Sequence, residues 1–482
     1  MTARSAGTDM TGGPLNTSII VEFIKYFNHI RKIGEDYAVV EPGVYYRDFE
    51  QEAGRLGLVL PSYPASKSIC ALGGMVSNNS GGEKSLLYGQ TAKYVRRLKA
   101  VLTDGNEYEF QKLDVVELQK KKAQGDFEGG IYRKVYQILE DNFDAIQRAK
   151  PNVPKNSSGY FLWNVWDRKY FDLTQLFAGS QGTLGIITEI ELGLIPTKKY
   201  SRLAVVFLPD IKPLVNFTHT VLEFAPESLE VFDRGTLKLG LRFLPDIAKK
   251  LKGPGLSGII SLAFQFRDEF LMTLRGGLPK VVVLVEITSN DEEELARRLE
   301  GLRRKLIEIE IPHKIMRSEG EGEKYWAMRR ESFNLLRNRV KDKRAAPFVD
   351  DIIVPVDALP DFFPRLYAIL KEYNIRPTLA GHAGSGNFHI IPLMDLAKEE
   401  DRKKIPQVLD KVIDLVLKYK GSITAEHNDG LIRSPYLEKM YGREIYQLFE
   451  KVKEIFDPKN IFNPGKKVGA SVEYAMEHMK RA

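Results

Sequence analysis

Apolar and polar positions change texture part-way along the chain. Up to about residue 195, short apolar runs are separated by glycine-rich loops. Ser18-Ile19-Ile20-Val21 predicts a strand, and Ala38-Val39-Val40 predicts another that enters a turn at Pro42-Gly43. Tyr46–Leu56 reads as a helix ended by Gly57. Leu98–Leu102 predicts a strand entering a hairpin at Asp104-Gly105, where Asp-Gly tolerates the positive φ angles of a tight turn. Ile131–Asn142 reads as a helix, and Gly185–Leu192 as the strand that closes this half before Pro196. Beyond Pro196 the pattern becomes strand and helix in alternation, with long insertions. Leu203–Leu208 and Lys280–Thr288 are the strands, and Ile211–Phe224 is a helix. A charged helix starts at Asn290, with acids at its N-terminal end and Arg and Lys toward its C-terminal end, as the helix dipole favours. Trp326–Arg339, Leu359–Glu372 and Tyr436–Phe456 are further helices, the last stopped by Asp457-Pro458. The pattern predicts helices packed against a sheet, with a domain boundary near 197.

Composition narrows the field. At about 100–200 residues per domain, 482 residues imply more than one domain. The longest apolar run, Val281–Val285, is strand-sized and far short of the roughly 18 residues of a membrane-spanning helix. Met1–Gly7 has no apolar core, so it does not read as a secretory signal. The single cysteine, Cys70, excludes an internal disulfide, a cysteine zinc site and an intrinsic iron–sulfur cluster, and fits a reducing, cytoplasmic setting. Lys plus Arg total 71 against 64 Asp plus Glu, a net +7 that permits anionic partners without requiring them. Lys120-Lys121-Lys122 reads as the solvated face of a helix. With no basic stripe carrying interleaved aromatics, nucleic acid is not expected as a partner.

Three segments of the first half carry closely spaced glycines with Ser, Thr and Asn. They are Gly7-Thr8-Asp9-Met10-Thr11-Gly12-Gly13, Gly73–Gly82 and Gly179-Ser180-Gln181-Gly182-Thr183-Leu184-Gly185. Without Cβ atoms in the way, backbone N–H groups can turn toward one anion, and the hydroxyl and amide side chains add neutral donors. One such loop alone is a set of tight turns; three together suit a large phosphorylated cofactor. None has the Gly-x-Gly-x-x-Gly or Gly-x-x-x-x-Gly-Lys-Ser/Thr spacing, so Rossmann nicotinamide and P-loop readings fail.

These motifs make the chain similar to the FAD-linked oxidase and dehydrogenase family with the vanillyl-alcohol-oxidase (PCMH) type of flavin domain. Within that family it resembles the D-lactate and D-2-hydroxyglutarate dehydrogenases and the glycolate oxidase flavin subunit. Arg4-Ser5-Ala6-Gly7-Thr8 resembles the first pyrophosphate loop. Leu72–Gly82 with Tyr88-Gly89 resembles the second, and Leu176–Thr188 resembles the loop and strand that complete the flavin site. The resemblance implies FAD contacts at Arg4, Gly7, Thr8, Gly73, Gly74, Ser77, Asn78, Asn79, Gly81, Gly82, Tyr88, Gly89, Gly179, Ser180, Gly182, Thr183, Gly185 and Ile187. It implies an α+β fold: a two-part flavin-binding domain plus an α+β substrate (cap) domain with a mainly antiparallel sheet. The expected boundaries are 1–197 for the flavin domain, 198–435 for the substrate domain and 436–482 for a helical segment returning to the flavin domain. Two departures stand out. Gln181 occupies a position commonly held by Glu, and the chain starts inside the first loop, so the family's opening strand–helix–strand unit is expected to be lacking.

The second half carries the titratable chemistry. Of seven histidines, His382, His389 and His427 lie in Gly381-His382-Ala383-Gly384-Ser385-Gly386-Asn387-Phe388-His389 and Ala425-Glu426-His427-Asn428-Asp429-Gly430. His382 and His389 are seven apart and would face opposite sides of an unbroken strand, but Gly384 and Gly386 permit a bend that brings both imidazoles to one point. Two imidazoles and a carboxylate suit zinc or a similar divalent metal; either histidine alone reads better as a hydrogen-bonded core or loop residue, and it is the pair with Glu426-His427 that favours a site. The resemblance implies His382, His389 and Glu426 as metal ligands and His427 as the catalytic base. It implies Asn387 on the substrate side and Arg330 as the carboxylate-binding arginine. Ser385 stands where Asp is usual, and Asn428 where Gly is usual.

The reading that follows is FAD-dependent oxidation of a D-2-hydroxy acid to its 2-oxo acid. The small-molecule substrate would be lactate-, glycolate- or 2-hydroxyglutarate-like. Electrons would pass to a separate acceptor (a protein, a quinone or oxygen), in the cytoplasm or peripherally at the membrane. Two alternatives stay open: a flavin-free or N-terminally truncated non-catalytic member, and a metal-dependent hydrolase that leaves the glycine loops without a purpose.

Overall fold

A computed structural model describes residues 1–242, 277–339 and 344–479. The chain divides into two compact units, Met1–Thr197 with Ser422–Met479, and Lys198–Gly421. The second cut falls at 421 rather than at the expected 435, so residues 422–435 cluster with the first unit.

The first unit is built on a six-stranded sheet in the order Ile30–Ile33, Tyr37–Val40, Ile186–Gly193, Val95–Val101, Glu107–Asp114, Tyr170–Asp172. Every neighbouring pair is antiparallel. The predicted hairpin is there, joining Val95–Val101 to Glu107–Asp114, with Gly105 at φ +85° in its turn. Beneath the sheet, Phe110, Tyr132, Phe171, Phe177 and Phe456 pack as a chain of rings. Each such side chain taken from water contributes about 1.5–3 kcal/mol. Phe127–Asp141 covers the predicted helix and starts one turn earlier, because Asp126 caps it by accepting from the Gly129 N–H at 2.8 Å. A separate pair of strands, Thr2–Arg4 and Ile20–Glu22, runs parallel. The helix Leu437–Phe456 is interrupted at Gly442, whose φ of +79° is non-helical.

The second unit is an eight-stranded sheet, antiparallel at every pairing. The order is His313–Ile315, Tyr200–Leu208, Val281–Ser289, Ser228–Asp233, Pro377–His382, Asn387–Met394, Arg344–Ala345, with Ile352–Ile353 also paired to Asn387–Met394. Val281–Ser289 lies inside the sheet and is buried along nearly its whole length, which explains why it reads as a continuous apolar run. The helix Glu319–Arg339 sets Tyr325, Trp326 and Met328 against Leu203, Val205, Phe232, Val282 and Leu284. The charged helix spans Glu292–Glu308, and Asp291 caps it by accepting from Glu293 N–H. Among the elements that escaped the sequence reading are the strand Ser228–Asp233, buried on both faces, the hairpin strand Asn387–Met394, and the 20-residue helix Glu399–Lys418.

Candidate active site

In the first unit the three glycine loops meet. The helix Leu72–Asn78 turns Gly74, Ser77 and Asn78, three and four apart, to one half-buried face while Leu72, Gly73, Met75 and Val76 are buried. Gly73 is pressed on Pro42, where a Cβ would lie 2.4 Å from its side chain, and a Cβ on Gly82 would lie 2.1 Å from the Tyr63 carbonyl. The third loop hangs on this helix: Gly179 N–H donates to Val76 O and Gln181 N–H to Ser77 O, both at 2.9 Å. Gly179 (φ +82°) and Gly182 (φ +68°) hold left-handed turns on either side of Ser180-Gln181. The first loop is tied in by Asp9, which accepts from Gly13 N–H at 2.5 Å, from the Thr11 hydroxyl and from Asn78 Nδ2 at 3.3 Å. At Gly7 (φ +66°) a Cβ would fall 2.5 Å from Arg4 Nε, so the guanidinium lies close over a left-handed position that favours glycine. Thr8 is half-buried beside it.

The segment after Glu426 enters the same junction. Asn428 sits at φ +67°, a conformation that glycine adopts freely and asparagine tolerates. Its Nδ2 donates to Gly179 O at 2.9 Å and to Asn78 O at 3.1 Å, which compensates for the strain. Gln181 accepts from Gly430 N–H at 2.8 Å and reaches Asn78 Oδ1 at 3.3 Å. Asn463 donates to Gly13 O and Gln181 O, bringing the C-terminal Asn463-Pro464-Gly465-Lys466 to the first and third loops.

Several expected FAD residues also make contacts within the surrounding framework. Asn79 (φ +50°) binds Ala92 N–H and Asn156 O. Thr183 is hydrogen-bonded to the Tyr160 hydroxyl, Gly185 packs on Leu102, and Ile187 is a sheet residue opposite Ala100. The Tyr88 carbonyl takes the Tyr94 hydroxyl at 2.9 Å, ahead of Gly89 at φ +79°. Cys70 is a packing residue, its thiol pushed up by burial to about 12.

One stretch went unnoticed. Lys155, Asn156 and Ser157 join the second loop to Ser422–Glu426. Lys155, 1% exposed, donates to Glu426 Oε2 at 2.8 Å. Ser157 Oγ donates to Ala425 O at 2.9 Å, and Gln90 Nε2 reaches Asn79 O, Ser157 Oγ and Ala425 O. Gly81 leaves room for the carboxylate, since a Cβ there would lie 3.1 Å from Glu426 Oε2. The signal was a lysine ahead of a polar Asn-Ser-Ser-Gly turn, too common to single out. Farther along, Asp429 and Lys467 form a fully buried pair at 2.6 Å, and Asp429 also accepts from Gly159 N–H. Burial pulls the Lys467 ammonium below its ordinary range, and the adjacent carboxylate opposes that.

In the second unit the two histidines share a face. Pro377–His382 and Asn387–Met394 form a hairpin with Ala380 opposite His389 and His382 opposite Asn387, so His382 and His389 are diagonal neighbours. The turn Ala383–Ser385 is closed by Gly386 at φ +73°, where a Cβ would lie 2.0 Å from the Val354 carbonyl. Of the two glycines expected to bend the chain, it is Gly386 that takes the left-handed conformation. The two Nε2 atoms are 3.3 Å apart. His382 Nδ1 meets Glu230 Oε1 at 2.5 Å, and His389 Nδ1 meets Asp350 Oδ1 at 3.0 Å. Asn387, fully buried, donates to Asp351 Oδ1 and Ile352 O and so braces the Asp350-Asp351 turn, where Asp351 has φ +64°. Arg329 is buried and pairs with Glu230 Oε2 at 3.0 Å, whereas the guanidinium of Arg330 lies 5.0 Å over the Trp326 ring.

The family described as FAD linked oxidases, C-terminal domain, matches residues 197–467, and the FAD binding domain matches residues 1–111. This chain belongs to the FAD linked oxidase family. It is 28% identical to the D-2-hydroxyglutarate dehydrogenase of Escherichia coli (strain K12), across 96% of this chain and 45% of that protein. It is 27% identical to the glycolate oxidase subunit GlcD of Bacillus subtilis (strain 168), across 96% and 82%. It is 26% identical to the D-lactate dehydrogenase of Anaerostipes hadrus, across 97% and 84%. The chain thus spans less than half the length of the D-2-hydroxyglutarate dehydrogenases it matches. Among solved structures, p-cresol methylhydroxylase shares the fold at a TM-score of 0.65 and 16% identity, over 96% of this chain and 83% of that one. Alkyldihydroxyacetonephosphate synthase does so at 0.63 and 14%, over 96% and 71%. The α+β class expected of this FAD linked oxidase is the one found.

The loop junction suits FAD. Arg4 Nε and Ser180 Oγ are buried there with no hydrogen-bond partner, donors of the kind a diphosphate or ribityl chain would take. The Gly74, Ser77, Asn78 face offers small and polar groups without bulk. The histidine pair suits a divalent metal, with two imidazole nitrogens converging and a carboxylate oxygen of Asp351 within 4.8 Å of a His389 ring nitrogen. Among the described residues no helix is long and apolar enough to cross a membrane.

Proposed function

We propose that this chain carries out FAD-dependent oxidation of a 2-hydroxy acid of the D-lactate, glycolate or D-2-hydroxyglutarate class to the 2-oxo acid, aided by a divalent metal such as zinc. The observation that carries the reading is the junction of three glycine loops around the unsatisfied buried donors Arg4 Nε and Ser180 Oγ, in a chain of the FAD linked oxidase family. When bound, FAD supplies an acceptor for the two electrons and hydrogen leaving C2, and the metal supplies Lewis-acid polarisation of the 2-hydroxyl. In this reading residues 1–197 and 436–482 bind FAD. The neutral imidazole of His427 takes the 2-hydroxyl proton. Glu426, which accepts from Lys155 at one oxygen, is a ligand of the metal in this reading. His382 and His389 present Nε2 to that ion, and Asn387 steadies the turn beside them.

Arg330 is the carboxylate partner in this reading, its planar fork matching two oxygens. Arg329 is a second candidate because it shares Glu230 with His382. Electrons leave to a separate protein, quinone or oxygen, in the cytoplasm or at a membrane surface.

The test is a visible spectrum of the FAD-loaded protein, before and after anaerobic addition of D-lactate, glycolate and D-2-hydroxyglutarate. Flavin bands should bleach with at least one acid and, where the acid is chiral, not with its L-enantiomer. Bands that bleach with none remove the substrate class, and failure to retain FAD removes the reaction. Whichever of Arg330→Lys and Arg329→Lys raises KM for the acid more than about tenfold identifies the carboxylate partner.

A further inference from the structure

Glu230 lies in a strand that the sequence reading did not single out, and it stands 1% exposed at the centre of a charged chain. It lies opposite His382 in the pairing of Ser228–Asp233 with Pro377–His382, so the backbone register itself aims the carboxylate at that ring. One oxygen meets His382 Nδ1 at 2.5 Å, and the other meets Arg329 Nη2 at 3.0 Å. On the far side, Asp350 meets His389 Nδ1 at 3.0 Å. A carboxylate accepts, so each ring must place its proton on Nδ1, and each Nε2 is left with a lone pair. Two lone pairs 3.3 Å apart repel unless a proton or a metal cation lies between them. A carboxylate behind a ligating imidazole also raises its basicity and fixes its plane.

We propose that Glu230 and Asp350 are positioning residues that lock His382 and His389 in the Nδ1–H tautomer with both Nε2 atoms aimed at one cation, and that Glu230 ties this pair to Arg329. The proposal rests on the metal reading above and extends it to the carboxylates behind the two imidazoles. Because Glu230 carries one charge for two partners, removing it affects both at once. His382 loses its tautomer constraint, and Arg329 is left as a buried guanidinium without that carboxylate.

The test uses the full chain loaded with FAD, with cobalt(II) as the probe, and three variants. Glu230→Leu/Arg329→Met replaces both charged groups by apolar ones and so leaves neither of this pair's charges without its partner. Glu230→Gln keeps an oxygen acceptor, and Asp350→Asn does the same behind His389. Cobalt(II) affinity, followed by the visible bands of the bound ion, should fall about 10–100-fold in the double variant and recover much of that in Glu230→Gln. In the metal-free protein, the nitrogen-15 imidazole shifts of His382 should report Nδ1–H in wild type and a mixture in the double variant, a change that loosened packing alone would not give. Asp350→Asn should weaken cobalt(II) less than the double variant does, since it retains its acceptor. Unchanged affinity together with an unchanged His382 tautomer overturns the proposal. Absence of cobalt(II) binding by wild type would remove the metal reading instead, and the tautomer measurement would still decide the role of Glu230.

Discussion

In the unit formed by Met1–Thr197 and Ser422–Met479, the loop junction is held mainly by backbone groups, neutral amides and left-handed glycines, with Asp9 as the carboxylate that ties in the first loop. In Lys198–Gly421, the histidine pair is held by side-chain carboxylates on regular strands and turns, Glu230 and Asp350 above all. The first arrangement tolerates no added Cβ at several positions. The second also needs a glycine at Gly386, but its histidines are aligned by carboxylates rather than by backbone groups. A cofactor with a long anionic and polar backbone is matched by many weak donors, whereas a small cation is matched by few strong ligands, each aligned by a partner.

That contrast can be broken at three points. The largest expected effect is Lys467→Met, which strands the buried Asp429 carboxylate and should cost about 3–5 kcal/mol of stability in urea unfolding. Adding Asp429→Asn, which still accepts the Gly159 N–H, should restore most of it. If the double variant is no better than the single, the pair is not what holds this junction. Next come two glycine substitutions. Gly430→Ala places a Cβ 2.2 Å from Thr11 Oγ1 at φ +53°, and Gly386→Ala places one 2.0 Å from the Val354 carbonyl at φ +73°. Each should cost about 3 kcal/mol, against about 1 kcal/mol for Gly105→Ala, which meets nothing. Gly430→Ala should release FAD and spare metal uptake, and Gly386→Ala the reverse. Both variants losing both groups would dissolve the contrast.

The smallest effect is a pH dependence. Lys466 is fully buried, and burial pulls its ammonium down to about 8, with Asp9 opposing the shift. Between about pH 8 and the ordinary lysine value, the unfolded chain holds a proton that the folded chain has released, so stability rises with pH across that window. The rise should amount to about 2 kcal/mol in wild type and vanish in Lys466→Met, measured by unfolding at pH 7, 8.5 and 10. A flat wild-type profile would show that Lys466 keeps its proton in the folded state.

How much was legible differs by region for the same reason. Glycines betray a loop that needs positive φ or close approach, so the first unit's three loops could be read, and Asn428 could be noticed as the exception that takes a glycine's conformation. Asp104-Gly105 marked a real hairpin, and Leu359–Glu372 formed over the residues predicted. Glu230 lies in Ser-Leu-Glu-Val-Phe-Asp, where one acid among apolar neighbours looks like any solvent-facing strand position. Only the strands on both sides of it show that it is buried. Arg329 and Arg330 were indistinguishable in sequence, because which of two adjacent helical residues reaches a given strand depends on how Tyr325 and Trp326 seat the helix.

The sequence by itself determined the α+β class, the three glycine loops, the paired histidine motifs and the family, because each is a local pattern set by backbone freedom or by residues close along the chain. Tertiary structure alone decided that His382 and His389 share a face, that Lys155 answers Glu426 across 271 positions, and that Glu230 joins His382 to Arg329. A buried charge must find its partner wherever the fold brings one, and strand register, which no single segment carries, sets that meeting.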